Sequence, residues 1–194
     1  MTEKLIATPS QTVGPFFHLA LDRAEWADLT KDGPAGERVV VEGRLTDGDG
    51  VPVADACLEL WQANAAGRYA HPDDTRTDKP LDPHFRGFGR VSTDAEGGFR
   101  FTTIRPGPAP GAGNALQAPH IAVALFARGL LKPLYTRIYF DGDPLNEADP
   151  VLQSIDDPAR RRTVLATRRD GAGAPTWTLD IVMQGDNETV FFDV

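Results

Sequence analysis

The chain carries one cysteine, Cys57, in 194 residues. A single thiol cannot close an internal disulfide, so the fold must hold by packing. With the first residues, MTEKLIATPS, lacking an apolar leader core, this predicts a reducing, cytoplasmic setting. Long apolar runs are also missing: none approaches the roughly 20 residues that span a bilayer, which predicts no membrane association. Basic charge is scarce, with 20 Lys and Arg against 28 Asp and Glu and a net charge of −8. Duplex nucleic acid and anionic lipid both reward a basic face, so neither is an expected partner, although a local cationic pocket for a small anion stays possible. The four histidines, His18, His71, His84 and His120, show no HxH or HExxH spacing. Metal donors must converge, and nothing local makes them do so; His120, which stands before an apolar strand, could be a ligand but is expected to be structural. No GxSxG, phosphate-loop or dinucleotide pattern appears, and no internal repeat or low-complexity tract.

What is plentiful is turn chemistry, with 19 glycines and 16 prolines spread along the chain. They punctuate short segments of strand character. Arg38–Thr46 alternates, Val39, Val41, Gly43 and Leu45 opposing Val40, Glu42 and Arg44, and Asp47-Gly48-Asp49-Gly50 after it reads as a hairpin turn. Further strands are predicted near Ala56–Gln62, over Phe99–Ile104, over the continuous apolar run Ile121–Ala127, over Leu134–Phe140 and over Thr176–Met183. One short helix is expected after Asp157-Pro158, an N-cap aspartate followed by proline at N1. Arg105–Pro119 reads as one long structureless loop. The predicted architecture is all-β: a β-sandwich of mixed and antiparallel strands with long loops and one or two short helices. One domain over 1–194 is expected, with 1–30 as an N-terminal arm.

Several local features have plain readings. Asp47 and Asp49 resemble part of a calcium loop, but the loop's twelfth position, counting Asp47 as the first, needs a carboxylate and holds Leu58, so a turn is expected. Cys57 among apolar neighbours reads as a small core residue. Asn187-Glu188-Thr189 is a formal sequon without consequence in the cytosol. Residue by residue, the reading ends at a β-sandwich of unassigned function.

Five stretches go further: TPSQTVGPFF (Thr8–Phe17), LELWQANAAGRY (Leu58–Tyr69), the Phe88–Gly107 segment with TDAEGGFRF and TIRPG, APHIAVALFARG (Ala118–Gly129) and the tail GDNETVFFDV. Together they resemble the intradiol ring-cleavage dioxygenases over nearly the whole chain. That family works with ferric iron held by two tyrosines and two histidines, anionic phenolates suiting a hard trivalent ion. Matched motif by motif, the tyrosine before the Pro80-Leu81-Asp82-Pro83 stretch is replaced by Thr77. The tyrosine after the PGP turn is replaced by Ala109, and the HIH pair reads His120-Ile121-Ala122. The family's cationic residue shortly before the first histidine is Gln117. Three of four donors are thus lost, which implies that this chain binds no metal and contributes no catalytic residue.

The resemblance favours an α-type chain of a heteromeric enzyme, inactive alone, completing the site of an iron-bearing β chain. It implies cleavage of 3,4-dihydroxybenzoate by O2 to 3-carboxy-cis,cis-muconate, with Fe(3+) in the partner β chain and higher hetero-oligomers of αβ units. Thr12, Gly14, Pro15 and Phe16 of the arm, and Arg128 in the FARG motif, are the implied substrate contacts. A guanidinium beside a substrate carboxylate suits that role. Two alternatives stand beside this reading: a stand-alone catechol-type dioxygenase with another metal set, and a non-enzymatic transthyretin-like binding module.

Overall fold

The computed structural model describes residues 6–14, 20–111, 113, 115–171 and 173–193. The strands follow from side chains that alternate between a core and an outer surface, the period of two that a pleated strand imposes. In β1 (Arg38–Thr46), Val39, Val41 and Leu45 are wholly buried. β2 (Cys57–Trp61), β3 (Phe88–Ser92) and β4 (Gly98–Ile104) follow, then the short β5 (Ala109–Pro110) and β6 (Leu116–Gln117). β7 (His120–Phe126) and β8 (Leu134–Phe140) come next, and β9 (Leu165–Arg169), β10 (Thr176–Thr178) and β11 (Ile181–Val182) close the chain. The described residues form a nine-stranded sheet in the order β11-β1-β10-β9-β8-β7-β2-β3, with β4 on the free side of β1.

β9 makes that sheet a sandwich. Leu165 and Ala166 pair in parallel with Tyr139 and Phe140 of β8, whereas Thr167 to Arg169 pair antiparallel with β10. One strand therefore serves two layers and turns the corner between them. The layers close over a shared core: Val39, Val41, Phe99, Phe101 and Trp177 on one side, Leu58, Leu60, Ile121, Val123, Leu125, Ile138 and Phe140 on the other. The all-β expectation holds.

Several local expectations need correction. The Asp47–Gly50 turn forms, with the Asp47 carboxylate accepting from Asp49 N and Val51 N at 3.0 and 2.8 Å. It does not join neighbouring strands. After the isolated bridge Thr46–Pro52, β2 crosses to the other layer and pairs with β3 and β7, while β4 is the antiparallel neighbour of β1. Turn chemistry is local; strand partnership is decided by which apolar faces meet. Arg105–Pro119 is not structureless, since Ala109 and Pro110 pair with Gln117 and Leu116. Thr176–Met183 is two strands on one register of β1, interrupted where the Asp180 carboxylate takes the Arg44 amide at 2.9 Å. β3 and β9 have too few apolar residues to stand out in the sequence.

Helices follow a repeated Asp-Pro device. Asp149 caps α1 (Pro150–Gln153) and Asp157 caps α2 (Pro158–Arg162). Asp143 caps a 3-10 turn over Pro144–Glu147 in the same way. In each, proline presets φ at a position whose N–H has no intrahelical partner, and the aspartate oxygen accepts from the next amides. The expected helix is the third of these and ends at Arg162; the residues after Thr163 go into β9 instead.

Cys57 is buried, and burial is the main cause raising its thiol to a pKa of about 11. Among the described residues, no helix is long and apolar enough to cross a membrane.

Candidate functional site

The outer face of β2, β7 and β8 is where the sequence's candidate positions meet. On β7, Ile121, Val123 and Leu125 turn into the core, so His120, Ala122 and Ala124 face outward. The registers set Trp61 of β2 opposite Ala122, and Ala122 opposite Arg137 of β8. His120 stands opposite Tyr139 by the same register. Beyond them the β5–β6 ribbon pairs Ala109 with Gln117. Gln117 Oε1 accepts from Arg137 Nη1 at 2.6 Å.

Pairing and hydrogen bonds thus link Ala109, His120 and Ala122 around one guanidinium. Arg137 Nη1 also reaches the Tyr139 hydroxyl at 3.1 Å, and that hydroxyl donates to Asp149 Oδ1 at 3.2 Å. Asp149, fully buried, takes the Ala118 amide on its other oxygen at 2.7 Å and caps α1 through Val151 N and Leu152 N. Burial, the largest cause, pushes the Tyr139 phenol well above its ordinary range, so it stays neutral.

His120 is a structural histidine. Its Nδ1 lies 2.8 Å from the Ala118 carbonyl oxygen, and its ring packs 5.4 Å from that of Tyr139. Burial first and the Arg137 charge second lower its pKa from 6.5 to about 4. The sign of the linkage is fixed by that direction. The native imidazole stays neutral while the unfolded one protonates, so stability is full above about pH 6.5 and declines as pH falls toward about 4. The loss should reach roughly 3 kcal/mol. Urea midpoints measured near about pH 7 and about pH 4.5 should separate in the wild type and draw together in His120→Gln.

Thr77 lies exposed in the loop between β2 and β3. The cleft below Pro110, of about 380 Å³, is lined instead by Trp61, Tyr69, His71, Thr75 and Arg76 among others. There Trp61 stacks on Tyr69 at 5.9 Å and meets the His71 ring edge-on at 6.3 Å. Asp74, held well below the carboxylate range chiefly by its bond to Arg76, fixes that arginine. His84 is an exposed loop residue, and His18 lies outside the described residues.

Ferric iron does not fit this donor set. Two of the positions offer methyl groups, a third is an exposed hydroxyl, and the remaining imidazole is tied to a backbone carbonyl. A permanent cation sits among them, and like charge opposes a trivalent ion. Among the described residues, no three His, Cys, Asp or Glu side chains gather as a metal site.

The second group of candidates also converges in part. Thr12 Oγ1 accepts from Gly129 N at 2.8 Å, which brings the arm against the turn that carries Arg128. Arg128 Nε holds Asp55 at 2.8 Å while its side chain remains 65 % exposed. Gly14 is exposed, and a Cβ there would meet nothing within 4 Å among the described residues. Pro15 and Phe16 lie outside the described residues. Arg137, Tyr139 and Asp149 were missed in the sequence. The Asp149-Pro150 cap signature was available, but the meeting of Arg137 with Ala122 depends on register.

A two-layer β-sandwich with its chemistry on the outer face of one sheet defines a class, and the comparisons agree with it. The dioxygenase family profile matches residues 13–185, and the chain belongs to that family, in its intradiol ring-cleaving branch. It is 39 % identical to the protocatechuate 3,4-dioxygenase alpha chain of Pseudomonas putida, over 98 % of both chains. It is 42 % identical to the beta chain of the Burkholderia cepacia enzyme, over 93 % of this chain and 77 % of that one. With the Burkholderia cepacia alpha chain the identity is 40 %, over 96 % and 97 %. Among solved structures, the dioxygenase domain of a carbohydrate-binding fusion protein from Streptomyces sp. SirexAA-E superposes with a TM-score of 0.62 at 29 % identity, covering 94 % of this chain and 99 % of that one. 3-Chlorocatechol 1,2-dioxygenase from Rhodococcus opacus shares the fold with a TM-score of 0.64 at 22 % identity, covering 91 % and 71 %.

Proposed function

We propose that this chain is the iron-free, α-type subunit of a protocatechuate 3,4-dioxygenase, completing the active site of a β chain that holds Fe(3+). The assembled enzyme opens the ring of 3,4-dihydroxybenzoate between its hydroxyl-bearing carbons, both atoms of O2 entering 3-carboxy-cis,cis-muconate. Identity alone does not separate the chain types, since the β relative is as similar as the α relatives. The observation that carries the reading is Ala122 set between Trp61 and Arg137, with Ala109 paired to the glutamine that the guanidinium binds. Such a site does not suit ferric iron, and this supports placing the metal in a partner.

The reading is tested by iron analysis of the purified chain with and without a co-expressed β-type chain. Visible colour and about one iron per αβ pair are expected only for the pair; stoichiometric iron on this chain alone would overturn it. Assembly into larger αβ oligomers in the cytoplasm, and a single domain whose 1–30 arm reaches the partner, belong to the same proposal. The buried lone Cys57 suits a reducing compartment.

Within it, Thr12, Gly14, Pro15, Phe16 and Arg128 line the partner's pocket. Thr12 is supported by its bond to the Arg128–Gly129 turn, and Arg128 by a guanidinium that Asp55 orients while it stays exposed. Loss of one charge-assisted contact costs on the order of 1.5–3 kcal/mol. Arg128→Ala in the assembled enzyme should therefore raise KM for the carboxylated substrate by roughly ten- to a hundred-fold. Unchanged steady-state parameters would remove Arg128 from the site.

A further inference from the structure

The outer face that carries Ala122 is not filled in. A groove of about 530 Å³ runs across it, its sides formed by the rings of Trp61, Tyr135 and Phe192 and its floor by Ala122 and Ala124. That size lies within the range of roughly 300–1,000 Å³ typical of small-molecule sites. Arg137 lines the same groove, its guanidinium carbon 6.0 Å from the Phe192 ring centre.

We propose that this groove binds a planar aromatic monocarboxylate, with Arg137 gripping the carboxylate and the ring lying over Ala122 and Ala124. The proposal concerns this chain alone and does not rest on its pairing with a β chain. Three features converge on that ligand. The guanidinium is held in place before any ligand arrives, because Nη1 is bonded to Gln117 at 2.6 Å and to Tyr139 at 3.1 Å. Little side-chain entropy is then left to lose on binding, and the planar fork matches a carboxylate. Ala122 between Trp61 and Arg137, and Ala124 between Glu59 and Tyr135, keep the floor low, which leaves room for a ring to lie flat over them. Apolar walls also strengthen the charge contact by lowering the local dielectric.

Charge sets the valence. Glu59, paired with Arg90, and the exposed Asp193 border the same groove. A dianion such as a phosphate monoester would meet both carboxylates; a monoanion with an apolar body meets them least.

Trp61 forms one wall, so binding can be read from tryptophan fluorescence of the full chain titrated with benzoate. A saturable change is expected with Kd on the order of 1 mM or tighter, while neutral benzamide and ring-free acetate bind at least about ten-fold more weakly. Arg137→Gln should weaken benzoate by about ten-fold or more, and Arg137→Lys should lie between. In a complex with a β-type chain, Arg137→Gln should remove one benzoate per copy of this chain. A non-saturating response, or benzamide equal to benzoate on the wild-type chain, overturns the proposal whether or not the variants fold. Failure of the subunit reading shows separately, as iron on the lone chain.

Discussion

Asp149→Ala is expected to destabilise the chain by about 3–5 kcal/mol, a large part of the roughly 5–15 kcal/mol typical of a domain. The carboxylate is fully buried and accepts from four donors: the Ala118 amide, the Tyr139 hydroxyl, Val151 N and Leu152 N. A methyl group satisfies none of them. The lost cap alone is worth about 1 kcal/mol, and each buried donor left without a partner adds roughly 1–3 kcal/mol, less where the chain relaxes toward water. Asp149→Asn is not a neutral replacement. Its amide can keep one oxygen for the α1 amides, but its NH2 must then face the Ala118 N–H, donor against donor. Guanidinium or urea midpoints of the two variants should order wild type, Asn, Ala. An Ala variant within about 1 kcal/mol of wild type would mean that water replaces the carboxylate, against its burial.

Because the same residue reaches Arg137 through Tyr139, the effect should not stop at stability. Without Asp149 the Tyr139 hydroxyl loses its acceptor, and the guanidinium loses part of its support. Benzoate binding in the groove should weaken in Asp149→Ala where that variant is folded, and hold in Asp149→Asn, whose retained oxygen accepts from Tyr139 as well as from the α1 amides.

Gly43→Ala is expected to cost more than about 3 kcal/mol or to prevent folding altogether. An added Cβ would lie 1.8 Å from the Leu179 carbonyl oxygen, 2.7 Å from its carbon and 2.8 Å from Phe99 Cζ. The ring tip could swing away; the carbonyl cannot. Leu179 is held by its own amide bonded to the Glu42 carbonyl at 3.0 Å, in the gap between β10 and β11. Relief would require pulling both strands off β1, the strand that also carries seven paired residues of β4. Gly14→Ala makes the contrast, since nothing described lies near its Cβ. It should leave the thermal midpoint of this chain unmoved, and any effect should appear only in the assembled enzyme. A Gly43→Ala protein with a wild-type melting temperature would contradict the packing of Leu179 against β1.

How far the sequence could be read depended on whether a signal was local. Alternation in Arg38–Thr46 and Leu134–Phe140 marked those strands because each residue's face is set by its own neighbours. The Asp-Pro pairs at 143, 149 and 157 carry the cap chemistry of three helical starts. β9 escaped because Arg168 and Arg169 leave it polar, and its strand character comes from two different partners at its two ends. The Asp47–Gly50 turn was visible, yet it suggested the wrong neighbour for β1.

The candidate site divides along the same line. Donor loss at Ala109 and Ala122 is a matter of residue identity, legible wherever the motifs can be matched. The identity of what stands there instead was not legible. Arg137 lies fifteen residues beyond Ala122, and Gln117 and Asp149 lie on other elements.

By itself, the sequence determined that no internal disulfide could exist and that the chain is built of short alternating strands, while its resemblance to the family pointed to Thr77, Ala109 and Ala122 as the replaced donors. Only the tertiary structure decided that Ala122 lies between Trp61 and Arg137, that the arm's Thr12 meets the turn of Arg128, and that β9 joins two layers. Composition and periodicity report on a residue and its near neighbours along the chain. Strand register brings together residues with no local relation, and it is chosen by burying both apolar faces at once.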